Sequence, residues 1–129
     1  MLFQATVTIP AATLVTAPHE VEFPLAPGAI TRERVEFASG PGELAGVSLW
    51  RNGRQIWPLG DQEFVSWDGG PVESEDEYEL NDLPYAVFIV AVNYDSLNPH
   101  TVTVALTITP PPPEEEANLT RRLKRFFGL

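Results

Sequence analysis

The stretch Gly46–Pro58, "GVSLWRNGRQIWP", decides how the chain is read. Asn52-Gly53 favours a two-residue type I′ turn, because both turn positions need positive φ and few other dipeptides tolerate it. The flanking segments then pair as a β-hairpin with Arg51 opposite Arg54, Trp50 opposite Gln55, Leu49 opposite Ile56 and Ser48 opposite Trp57. In that register Leu49 and Ile56 share one sheet face, while Trp50 and Trp57 lie diagonally on the other. One face is expected to be core, and the other carries two tryptophans.

The same period of two extends in both directions from the hairpin. "FQATVTI" sets Phe3, Ala5, Val7 and Ile9 against Gln4, Thr6 and Thr8, and "EVEFPL" sets Val21, Phe23 and Leu25 against Glu20 and Glu22. After the turn "APGAI", "TRERVEF" points Val35 and Phe37 one way and Arg34 and Glu36 the other, and "SGPGELAG" breaks the chain again. Further strands are expected at "EFVSW", "EYEL" and "HTVTVALTI". The apolar run "YAVFIVAVNY" is expected to be a central strand, buried on both faces. Eight or nine short strands, with no helical periodicity before residue 114, predict an all-β fold: an antiparallel β-sandwich spanning residues 1–109, with jelly-roll topology.

From Pro110 the composition changes. Four prolines end the last strand and favour polyproline II, a stiff spacer of roughly 12 Å at about 3.1 Å per residue. With Glu114, Glu115 and Glu116 they form a linker over 110–116. The remainder, 117–129, reads as a short amphipathic helix. Leu119, Leu123, Phe126 and Phe127 fall at i, i+4, i+7 and i+8, with Arg121, Arg122, Lys124 and Arg125 around that stripe. The charge is as uneven as the pattern. Residues 1–113 hold four basic and fifteen acidic residues, a net −11, whereas residues 114–129 hold four basic and three acidic, a net +1. So acidic a body is not expected to bind nucleic acid, because phosphate backbones demand positive surface. A helix of about ten residues is marginal in water, so its apolar stripe needs a cover. Three covers are open: its own sandwich, a membrane interface, or a groove on another protein, in which those eight side chains are the partner-binding residues.

Reactive chemistry is sparse. The chain has no cysteine, which removes disulfides, thiolate metal sites and cysteine nucleophiles. Neither His19 nor His100 sits in a metal-spaced cluster, and both read as turn or surface histidines. No nucleophile elbow, P-loop or dinucleotide fingerprint occurs, so no enzyme activity, catalytic residue, metal or cofactor is expected. The acidic run "DGGPVESEDEYE" lacks the spacing of a calcium loop and reads as a solvated loop or a charged strand edge. Trp50, Trp57 and Trp67 suit a core or a protein interface, and secondarily a sugar-stacking platform. The N-terminal residues have neither a basic leader nor an apolar span, so a soluble, cytoplasmic protein without signal peptide or transmembrane segment is expected unless it is viral. One lysine against seven arginines, with thirteen prolines, fits a thermophilic or GC-rich source.

The small acidic all-β body, with "LWRNGRQIWP" (Leu49–Pro58), "NPHTVTVALTI" (Asn98–Ile108) and a protruding C-terminal segment, resembles the compact β-sandwich accessory proteins of tailed-phage and related virions. These are capsid decoration, head-fibre and tail-adaptor proteins. The likeness covers roughly residues 1–110. It implies a non-enzymatic structural role in a virion, with self-association into a homo-oligomer or binding to a capsid or tail protein. A carbohydrate-binding sandwich module is the alternative expectation.

Overall fold

The computed structural model describes residues 1–40 and 42–111. The expected linker residues from 112 on and the whole tail, including Leu119, Arg121, Arg122, Leu123, Lys124, Arg125, Phe126 and Phe127, lie outside the described residues. Within them the chain is all-β. Eight strands follow one another as β1 (Leu2–Ile9), β2 (His19–Pro24), β3 (Gly28–Phe37), β4 (Ala45–Arg51), β5 (Arg54–Trp57), β6 (Gly70–Leu80), β7 (Ala86–Asn93) and β8 (His100–Thr109). They form two four-stranded antiparallel sheets, a first with order β1-β8-β3-β6 and a second with order β2-β7-β4-β5. Except at the β4–β5 hairpin, each strand is followed by one in the opposite sheet.

The alternating apolar residues give the reason the sheets stack. From the first sheet Ile9, Ile30, Val35, Phe37, Val104, Leu106 and Ile108 point inward, and from the second Phe23, Val47, Leu49, Val87, Ile89 and Ala91 meet them in one buried cluster. Burial of this kind contributes about 25 cal/mol per Å² of apolar surface removed from water. Apart from Leu2 and Ala105, the outward side chains at the centre of the first sheet are polar, as a solvated sandwich face should be. Thr6 lies across from Thr103 and Thr8 across from Thr101 with their hydroxyls in contact, and Arg32 and Arg34 share Glu73.

Three local expectations change. The hairpin turn is as expected, with φ of 54° at Asn52 and 74° at Gly53, and Arg51 pairs with Arg54 and Trp50 with Gln55. Beyond that pair the register slips, and Leu49 faces Trp57 instead of Ile56. The extra residue turns Trp57 inward, 3 % exposed, beside a buried Ile56, so Trp50 and Trp57 do not share a face. "EFVSW" is not a strand: Val65 alone bridges to Val47. β7 is central, between β2 and β4, but it is not buried on both sides throughout, since Phe88 is 44 % exposed.

The acidic run resolves as β6, an edge strand whose Glu73, Glu75, Glu77 and Glu79 point out in alternation with Val72, Ser74, Asp76 and Tyr78. The charged-edge reading is the one that stands. Charges along an edge discourage pairing with another chain. Among the described residues no helix is long and apolar enough to cross a membrane, and no group of metal-ligating side chains assembles.

Candidate functional site

The outer face of the second sheet departs from the sandwich rule. On antiparallel strands, side chains on one face stand in rows set by the register. One row here runs Glu22, Phe88, Trp50, Gln55 across β2, β7, β4 and β5, the next runs Glu20, Val90, Ser48, and a third joins Val92 to Gly46. Apart from the glutamates on β2 and the polar Gln55 and Ser48, this face is aromatic and aliphatic. The first two rows form the floor of a groove of about 780 Å³.

Loops raise its walls. Val15 and Pro18 come from the β1–β2 connection, Glu63 and Phe64 from the β5–β6 connection, and Pro84 with the Asn52-Gly53 turn closes the hairpin end. Gly46 explains how Phe64 gets there. A Cβ at Gly46 would stand 3.0 Å from the Phe64 Cβ and 3.2 Å from the Val92 side chain, so the missing side chain is what admits the ring. Trp50 is fixed in the floor because its Nε1 donates to Ser48 Oγ at 3.0 Å, and Gln55 Nε2 donates to the carbonyls of Pro58 and Gln62 at 3.0 and 2.7 Å.

The electrostatics of the groove are one-sided. Glu20, Glu22 and Glu63 are exposed along its margin. The one cation among its described lining residues, Arg51, is 5 % exposed and already committed. Its Nη2 donates to the Asp82 carbonyl and carboxylate at 2.7 and 3.0 Å, its Nε to the Pro84 carbonyl at 3.2 Å and its Nη1 to the Tyr78 hydroxyl at 3.4 Å. The Tyr78 hydroxyl, and then Asp82, hold its pKa above the ordinary value against the opposing effect of burial. Arg51 therefore pins the Asp82–Pro84 loop as the end wall and leaves the glutamates unopposed.

No known protein family matches the chain, and no curated protein does.

Of the three tryptophans offered as interface or ligand residues, only Trp50 lines this groove. Trp57 is in the core, and Trp67, 48 % exposed, stands in the β5–β6 connection beside Gly70, away from the groove lining. Phe88, Phe64, Val15 and the three glutamates were not singled out by sequence. Phe88 sits in an apolar run that reads as core, and only the cross-strand register reveals that it stands beside Trp50. The alternation of β2 does signal that Glu20 and Glu22 face outward.

Two other clusters of titratable groups serve the fold. Glu33, 2 % exposed, accepts from Ser74 Oγ at 3.2 Å, and Ser74 Oγ in turn accepts from Trp57 Nε1 at 2.5 Å. Burial first, and then neighbouring Asp76, push the Glu33 carboxyl from 4.5 to about 8. Asp76 Oδ2 is enclosed without a nitrogen or hydroxyl donor, a surrounding that favours the protonated form of Glu33. Glu33 is closed off from solvent, whereas Asp76 is half-buried. At the β7–β8 turn, Asp95 accepts from the Leu97 and Asn98 amides and lies 2.8 Å from His100 Nε2. The Leu97 amide first, and then His100, lower its pKa from 3.8 to about 2. His100 thus clasps a turn, and its side chain is mostly buried.

Proposed function

We propose that this chain is a non-enzymatic assembly protein whose groove-bearing sheet face binds protein. The observation that carries this reading is the groove itself. A sheet face that would ordinarily be solvated and polar instead presents Trp50, Phe88 and Phe64 beside unopposed glutamates, and contiguous exposed apolar surface of that kind is characteristic of interaction sites. Among the described residues the groups with shifted titration, Glu33, Arg51 and Asp95, each have a structural explanation. The order β1-β8-β3-β6 against β2-β7-β4-β5 supports a jelly roll. The setting that the resemblance implies is a virion, where the protein decorates a capsid or serves as a head or tail accessory subunit. The basic apolar segment 117–129 docks onto a neighbouring subunit.

Light-scattering mass of the full-length protein beside a chain ending at Thr109 tests this. A defined oligomer is expected for the full-length chain alone, and equal masses would count against assembly through the C-terminal segment. A carbohydrate-binding module is the second reading, favoured by half-buried Trp50 standing beside Phe88 and Glu22. Under it the groove alone is the determinant, and glycan binding, read from Trp50 fluorescence, survives removal of residues after Thr109.

A further inference from the structure

Resting on the assembly reading, we infer that the groove on the outer face of the second sheet is the receptor for residues 117–129 of a second copy of this chain. Three properties of the groove match that segment. The first is charge: Glu20, Glu22 and Glu63 line the margin with no free cation among the lining residues, and the segment brings Arg121, Arg122, Lys124 and Arg125. The second is chemistry of the floor. Trp50, Phe88, Val90 and Phe64 offer aromatic and aliphatic contacts to Leu119, Leu123, Phe126 and Phe127, and amphipathic segments of this type bind apolar grooves through anchors spaced i, i+4, i+7.

The third is length. From Ser48 to Asn52 along the lining of the groove the chain runs about 13 Å at roughly 3.3 Å per residue of strand. As a helix, Leu119 to Phe127 covers about 12 Å at 1.5 Å per residue.

The occupant comes from another copy because of where β8 ends. β8 belongs to the first sheet and the groove to the outer face of the second, so the chain leaves the sandwich on the opposite layer. In the sequence four successive prolines follow Thr109 before the basic segment begins, and such a run favours an extended spacer. The Asn52-Gly53 turn and Pro84, at the end of the groove, lie at the end of the sandwich from which β8 departs: Thr109 pairs with Ala29, next to Gly28 opposite Leu80, and the Leu80–Ala86 connection contains Pro84. A neighbour approaching that end meets the emerging segment with its groove open.

The test uses full-length protein and charge reversal. One variant carries Glu20→Lys, Glu22→Lys and Glu63→Lys. The other carries Arg121→Glu, Arg122→Glu, Lys124→Glu and Arg125→Glu. The three glutamates are exposed, and circular dichroism checks that both variants keep the β fold. Each alone should have the monomer mass at a concentration where the unaltered protein is oligomeric, and an equimolar mixture should recover the oligomer, because each groove then faces a segment of opposite charge. If reversing the groove leaves the oligomeric mass intact while reversing the segment abolishes it, the segment docks elsewhere. The inference falls then, while assembly through the segment stands. If the unaltered protein is monomeric, or neither reversal changes its mass, both fall together.

Discussion

Glu33 is the residue at which this sequence conflicts most with its fold. It is in phase with Val35 and Phe37, so the alternation of β3 carries its carboxyl into the core, where an unpaired charge would cost several kcal/mol. The conflict is relieved by a proton: burial and neighbouring Asp76 favour the neutral form of Glu33, which accepts from Ser74. The consequence for stability has a definite sign. Because the folded pKa is about 8 and the ordinary value 4.5, the native state holds a proton that the unfolded chain has lost between those limits. Stability should fall as pH rises from 4.5 to about 8 and level off above it. Asp95 acts in the opposite sense: lowered from 3.8 to about 2, it contributes stability above 3.8 that is lost as pH falls through 2. Thermal melts across pH should therefore peak between roughly 3.8 and 4.5. Glu33→Gln, whose amide still donates to Asp76, should flatten the decline above 4.5 and raise the melting temperature at pH 8. An unchanged slope in that variant would mean that Glu33 is ionised in the native protein.

The elements were largely legible in the sequence because period-two patterning and turn chemistry are local. Asn52-Gly53 specified its turn, and the alternations of β1, β2, β3 and β8 point the way the sequence indicates. Gly53 holds φ of 74° with open space where a Cβ would go, so Gly53→Ala should cost only backbone strain, about 1 kcal/mol. Urea denaturation would measure it, and a neutral effect would show that the turn is not held in that conformation. What local pattern does not encode is a slip in register. The extra residue near Ile56 moved Trp57 from the expected outer face to the core, where Ser74, a residue on the far sheet, receives its Nε1–H. "EFVSW" has the composition of a strand, yet only Val65 finds a partner, because the outer edge of the second sheet is already occupied by β5. The acidic run allowed two readings, and the neighbour β3, with Arg32 and Arg34 opposite Glu75 and Glu73, decided for a strand.

At the scale of the molecule, the two sheets have different outer faces. The first is threonine-rich and ion-paired, and the second is aromatic and rimmed by glutamate. The groove was only partly legible, since Trp50 was singled out but Phe88, Phe64 and Val15 come together through pairings of residues far apart in sequence. Its charge was legible as the imbalance between an acidic body and a basic final segment. Exposed ion pairs are screened over about 8 to 10 Å at physiological ionic strength.

Because the chain contains no cysteine, the most direct measurement is a disulfide trap between groove and segment. Full-length Glu22→Cys and full-length Leu123→Cys are mixed under mild oxidation and resolved on a non-reducing gel. A residue in the groove of one copy and one in the segment of another must approach within about 7 Å between Cα atoms to be bridged. A covalent heterodimer should form faster than either homodimer, and adding Glu20→Lys and Glu63→Lys to the Glu22→Cys copy should suppress it. Equal rates of all three pairings, insensitive to groove charge, would contradict it.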